Sequence, residues 1–150
     1  MEQTEIKRAG LSDLVEVHFL EQACFASPWP IEILYDDICL YEHPYYILRA
    51  GGIAAGYAGM SIVLDEAHIR KICVHKDFRR HGFGRMLMQT LMCEAAKCGA
   101  EGMTLEVRRS NQGALTFYQS FGFEMAGVRK NYYEYGEDAL ILWKHGIDKM

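Results

Sequence analysis

Apolar and polar positions along this chain fall into segments of different period, and the breaks between segments mark its elements. Thr4 to Ala9 reads as a short strand, and Ser12 stands as an N-cap before an amphipathic helix reaching about Cys24. The run Phe25-Ala26-Ser27-Pro28-Trp29-Pro30 breaks that helix. A second helix is predicted from about Pro30, well placed at a first helical position, to about Leu40, and His43-Pro44 closes it. Tyr45 to Ala50 and Ile53 to Leu64 are apolar or aromatic runs joined by Gly51-Gly52, a hairpin signal. A strand near Ala67 to Val74 leads into a glycine loop. Beyond it, Leu87, Leu91 and Ala95 recur on one face of a long helix from about Gly84 to Cys98. Met103 to Arg108 alternates as a strand with two unlike faces does, sending Thr104, Glu106 and Arg108 away from Met103, Leu105 and Val107. Asn111 to Phe121 is helical, and Gly122 ends it. Two last strands, Phe123 to Arg129 and Ala139 to Trp143, flank a tyrosine-rich loop.

Strands outnumber helices and arrive partly in hairpins, so the expected class is mixed α+β with a single central sheet. No linker, repeat or low-complexity tract interrupts residues 1–150, which are expected to form one domain. A chain of this length buries roughly 70% of its unfolded surface and needs no staple or metal. Half the residues are hydrophobic, which excludes a disordered chain. Cys24, Cys39, Cys73, Cys93 and Cys98 are scattered, without ligand spacing, and read as reduced, mostly buried thiols. The six histidines show no ligand spacing either, so no metal is expected. With a polar N-terminus and no long apolar run, the expectation is a cytoplasmic protein without signal peptide or membrane anchor.

Charge changes the picture more. The chain is at -4 overall, yet residues 70 to 85 hold six Lys or Arg and one acid. Positive charge is therefore focused at one loop, as a small anionic ligand needs, and is not spread over a face as nucleic-acid binding needs. Within it stands Arg79-Arg80-His81-Gly82-Phe83-Gly84-Arg85, where a strand ends and a helix begins. Glycines let a ligand approach the peptide N–H groups, and the first N–H groups of a helix are unpaired at the positive end of its dipole. A P-loop would need Gly-Lys-Ser/Thr, where this chain has Gly84-Arg85-Met86; a dinucleotide fold would need a third glycine, where it has Leu87. A glycine-rich turn with surface arginines is the plain alternative.

Further residues narrow the choice. Arg79-x-x-Gly82-x-Gly84, the segment Leu105-Glu106-Val107-Arg108, and Asn111-x-x-Ala114-x-x-Phe117-Tyr118-x-x-Phe121-Gly122-Phe123 resemble the GNAT acetyltransferase superfamily in order and spacing. Phe25 to Trp29, Val63-Leu64-Asp65-Glu66-Ala67 and Arg129-Lys130-Asn131-Tyr132-Tyr133 are similar to its bacterial RimI branch. That resemblance implies helices on both faces of the sheet and a V-shaped splay between two parallel strands that holds acetyl-CoA. It implies transfer of acetyl to the N-terminal α-amine, here alanine, of a small-subunit ribosomal protein, with no nucleic acid or membrane partner. The oligomeric state is left open, with a monomer as default. By the same resemblance Ile72, Cys73 and Val74 meet the acetyl and pantetheine groups. Arg80, His81, Gly82, Phe83, Gly84 and Arg85 hold the pyrophosphate, and Arg79, Asn111 and Phe117 also contact the cofactor. Cys73 departs from the alanine common in relatives.

Two residues are expected to carry the chemistry. Glu106 is the candidate general base; alternation alone would equally make it a solvated carboxylate or a partner of Arg108. Tyr118 is the candidate acid, although its helical stripe also suits a core tyrosine. Asn111 could serve as a helix N-cap instead. Trp29 and Asn131-Tyr132-Tyr133 look like two walls that grip a peptide, or else ordinary packing under loops. The acids Glu134, Glu137 and Asp138 would favour a basic residue behind the acceptor terminus, unless they are a solvated face. Acetylation of a small amine or a lysine side chain, and a CoA-binding regulatory module without catalysis, are the competing functions.

Overall fold

A computed structural model describes residues 3–150. Seven strands form one sheet in the order β1-β2-β3-β4-β5-β7-β6. They are β1 (Thr4–Arg8), β2 (Tyr45–Ala50), β3 (Ile53–Val63), β4 (Glu66–Val74), β5 (Gly102–Arg108), β6 (Glu124–Arg129) and β7 (Ala139–His145). The helices are α1 (Leu14–Cys24), α2 (Ile31–Cys39), α3 (Phe83–Lys97) and α4 (Gln112–Gln119). Every neighbouring pair is antiparallel except β4 and β5. The sheet separates two apolar cores. On one face α3 and α4 bury Leu87, Met88, Leu91 and Leu115 against Ala58, Met60, Ala67 and Leu105. On the other, Val17 and Leu20 of α1 and Leu34 and Ile38 of α2 pack on Ile47, Tyr57 and Cys73.

The elements fall where the apolar pattern sets them, with local corrections. Ser12 does not cap α1: the chain enters through a short 3-10 turn, Leu11–Asp13, whose buried Asp13 accepts from the Gly10 N–H at 2.9 Å. Pro30 precedes α2 in an extended conformation and is not its first helical residue. The helix α4 ends at Gln119, and Gly122, with φ of +91°, completes the reversal. The thiols are not mostly buried: Cys39, Cys93 and Cys98 are exposed and only Cys73 is buried.

One irregularity decides the site. Gly59 pairs with Lys71 but Met60 pairs with Ile69, so Arg70 is an extra residue in β4, a β-bulge. An extra residue reverses the alternation of faces downstream. Ala67 and Ile69 before the bulge, and Ile72 and Val74 after it, all face the α3 core, whereas Cys73 joins the α1 core.

Candidate active site

β4 and β5 pair over only three positions, Glu66 with Gly102, Ala67 with Met103 and His68 with Thr104. Beyond them β4 stays with β3 and β5 stays with β7, so the two parallel strands diverge. The His75 N–H donates to the Ala55 carbonyl at 2.8 Å. Since peptide groups alternate along a strand, those of Cys73 also face β3, while those of Ile72 and Val74 face the splay. Of the three expected backbone contacts, Ile72 and Val74 are thus directed there and Cys73 is not, in either its peptide or its side chain.

The splay opens into a cleft of about 640 Å³. His68 to Ile72 form one side, Leu105 to Arg108 another, and Tyr118, Asn111 and Ala114 come from α4 and its start. Glu106 and Tyr118 therefore share one space, as do Trp29, Tyr132 and Tyr133. The ring of Tyr118 is buried edge-on against Phe117 and Phe123, and its hydroxyl has no hydrogen-bond partner among the described residues. Burial pushes that hydroxyl above the ordinary phenol range, so it stays protonated. Glu106 accepts from His68 Nε2 at 2.5 Å and lies 3.5 Å from Arg129 Nε. The His68 bond holds its carboxyl below the usual range against a smaller opposing effect of burial, with Arg129 acting the same way as His68. His68 is the cleft residue that the sequence reading passed over.

The aromatic walls are braced by buried charge. Glu21, fully buried, accepts from the Trp29 N–H at 2.8 Å, from Lys71 at 2.9 Å, and from the Tyr57 hydroxyl. Lys71 Nζ stands 4.0 Å from the Phe25 ring centre and 4.3 Å from that of Trp29. Arg70, the bulge residue, pairs with Asp37 at 2.9 Å and lies over Trp29. Facing them, Tyr132 and Tyr133 meet at 5.0 Å, with Arg108 over Tyr133. Asn131 is not in the cleft: with φ of +56° it makes a turn, its N–H donating to Asp138 at 3.0 Å. Glu134 and Glu137 share Arg108 and Asp138 pairs with Arg109, so each of these acids already has a partner within the chain.

The basic loop begins at the end of β4. Arg79, Arg80, His81, Gly82 and Arg85 are exposed, and Gly82, with φ of +78°, precedes α3. The first intrahelical bond runs from Met86 N to Gly82 O, leaving the N–H groups of Phe83, Gly84 and Arg85 free of helix partners. A Cβ on Gly84 would lie 3.6 Å from Phe117 and 4.0 Å from Val74, which places Phe117 beside this turn and outside the cleft. Arg79 Nε donates to the Val74 carbonyl at 3.2 Å, and Arg85 lies over Phe121 and reaches Ser120. Asn111 caps α4, accepting from Ala114 N–H at 3.1 Å, while also lining the cleft. Among the described residues no cluster suits a metal ion, and no helix is long and apolar enough to cross a membrane.

A profile of the acetyltransferase (GNAT) family matches residues 14–123. The [ribosomal protein bS18]-alanine N-acetyltransferase of Escherichia coli K12 is 37% identical over 134 residues, covering 87% of this chain and 90% of the relative. The crystal structure of the ribosomal-protein-S18-alanine N-acetyltransferase from Escherichia coli superposes with a TM-score of 0.90 at 34% identity, over 99% of this chain and 96% of that one. Arabidopsis thaliana NAA60 in complex with acetyl-CoA shares the fold alone, with a TM-score of 0.86 at 14% identity over 95% and 98% of the two chains.

Proposed function

The chain belongs to the acetyltransferase (GNAT) family, and from that membership we propose that it transfers acetyl from acetyl-CoA to the N-terminal alanine of the small-subunit ribosomal protein bS18, in the cytoplasm. The observation that carries the proposal is the convergence of Glu106, Tyr118 and the Trp29 and Tyr132-Tyr133 walls in the splay between β4 and β5. The relatives named for this acceptor match nearly the whole chain.

Acetyl-CoA supplies an acetyl thioester and a pyrophosphate. The free N–H groups of residues 83 to 85 and the exposed Arg79, Arg80 and His81 fit the pyrophosphate. The Val74 N–H, directed into the splay, stabilises charge developing on the acyl oxygen, a role worth about 3 kcal/mol. Glu106 supplies the basic side of the site and Tyr118 the donor for the departing sulfur. An α-amine near pKa 8 is already about 10% neutral at pH 7, whereas a lysine near 10.4 is neutral only to about 0.04%, so a weak base suffices for a chain terminus. A terminus enters a narrow aromatic slot end-on, where tyrosine hydroxyls can hold the first peptide groups whatever their side chains.

A transfer assay with acetyl-CoA tests the acceptor. Peptides beginning with Ala, Ser or Met are compared with an acetyl-Ala peptide carrying an internal lysine, and with a free polyamine. The Ala-initiated peptide should be preferred. Equal acetylation of the blocked peptide or the polyamine would replace this reading with a lysine or small-amine acetyltransferase, and cofactor binding without transfer would leave a CoA-binding module.

A further inference from the structure

Glu106 is an awkward proton acceptor as the structure holds it. Its Oε2 already accepts from His68, and that bond lowers its affinity for a proton. A carboxylate has no hydrogen to give, so Nε2 of His68 must carry the proton between them, which leaves Nδ1 as a lone-pair acceptor. No partner for Nδ1 occurs among the described residues, the His68 side chain is 39% exposed, and His68 lines the cleft beside Glu106. Around the pair stand Arg129 from β6, Arg70 and Lys71 from β4, Arg108 from β5, and Tyr118 and Tyr133 across the cleft. Arg70 is committed to Asp37, Lys71 to Glu21, and Arg108 to Glu134 and Glu137.

We infer that His68 is the residue on which the acceptor's proton comes to rest, with Glu106 remaining a carboxylate that fixes the tautomer of His68 and stabilises the imidazolium. This rests on the acetyl-transfer reading above and specifies its base. An N–H bond of the amine breaks, directly or through one water, and an N–H bond forms at Nδ1. The Nε2–H bond to Glu106 is kept, and the exposed ring then returns the proton to solvent. An imidazole is ordinarily a stronger base than a carboxylate, and the Glu106 carboxylate is already occupied by the bond from His68.

Two measurements decide the matter. His68→Gln keeps a neutral donor to Glu106 and cannot take the proton. In rate profiles with an Ala-initiated peptide its kcat should fall about tenfold or more at neutral pH. It should also lose the acid-side limb of the wild-type profile, and leave the acetyl-CoA KM within about twofold. Free imidazole should restore part of the rate of His68→Gly. Independently of turnover, ring ¹⁵N NMR should find His68 as the Nε2–H tautomer above that limb, and Glu106→Ala should remove the preference. A His68→Gln enzyme that keeps the wild-type limb, or an Nδ1–H tautomer in the wild type, overturns the inference. If the wild type acetylates only a lysine peptide or a polyamine, the acceptor reading fails, while the same profiles on that acceptor still judge His68.

Discussion

Removing one oxygen at residue 118 should separate turnover from stability. The Tyr118 ring is 8% exposed and packs edge-on against Phe117 at 5.2 Å and Phe123 at 5.9 Å. Because its hydroxyl bonds to nothing among the described residues, Tyr118→Phe keeps the packing and abandons no protein partner, so unfolding free energy should move by less than about 0.5 kcal/mol. In the proposed reaction the hydroxyl would donate to a departing thiolate. A hydrogen bond to a charged group is worth about 1.5–3 kcal/mol, or roughly 10- to 150-fold in kcat. Full proton transfer is not expected, since a phenol near 10 is a weaker acid than a thiol near 8.5 by about 2 kcal/mol and burial pushes Tyr118 further up. With the hydroxyl protonated throughout, the ratio of wild-type to variant kcat should be constant over about pH 6–9. Thiol release measured across that range, beside urea unfolding, checks both halves. A ratio that collapses as pH rises, or a stability loss above about 1 kcal/mol, would refute the assignment of Tyr118 as a donor with no structural duty.

Three other perturbations probe separate parts. Gly84→Val adds methyls between Phe117, Val74 and the free N–H groups of α3; calorimetry should show CoA affinity falling at least tenfold while the fold survives, and unchanged affinity would remove the loop from the cofactor site. Tyr132, half exposed at the cleft, has little to lose structurally, so Tyr132→Ala should raise the peptide KM severalfold and leave the acetyl-CoA KM alone, as steady-state kinetics with each substrate varied can decide. Burial raises the Asp13 carboxyl, but its bonds to Arg49, Gly10 and Lys7 outweigh that and leave it lowered in the fold. Its contribution is thus present above the ordinary aspartate value of about 3.9 and lost as pH falls through the folded value. Asp13→Asn should therefore cost about 1–3 kcal/mol at pH 7, with the gap to wild type closing in acid; denaturation curves showing a constant gap would contradict this.

The sequence exposed those parts of the site that depend on one strand, one helix or one loop. The alternation from Met103 to Val107 already put Glu106 on the face away from the core, and the spacing through Phe117 and Tyr118 already made a helix with a buried stripe. What needed two strands was hidden. His68 matters because it starts the divergence of β4 from β5 on the side of Glu106, and a search for metal spacing among histidines does not ask that question. The bulge did leave a trace, since Ile69-Arg70-Lys71-Ile72 breaks the alternation with two adjacent cations. The acids Glu134, Glu137 and Asp138 looked free for a substrate because their partners, Arg108 and Arg109, lie about thirty residues away in β5 and the turn after it. Asn131 shared a tyrosine-rich motif with two cleft residues, but its left-handed backbone turns it aside.

The splay also bears on how long the protein survives between catalytic cycles. Two strand edges face each other inside one sheet, and apart from the Val74 carbonyl, which accepts from Arg79, the peptide groups of Ile72 and Val74 that a closed sheet would pair have no strand partner. A molecule that fills the gap acts as a missing strand, and it binds only the folded chain. At a hundredfold excess over its dissociation constant such a ligand adds about 2.7 kcal/mol, or roughly 5–10 °C in unfolding midpoint for a chain of this size. Graded CoA in a thermal melt should trace that rise, and a midpoint indifferent to CoA would show the edges to be harmless. Resistance to unfolding and to proteolysis would then follow the supply of CoA, free or acetylated, so that a cell short of the cofactor would hold less of the folded chain.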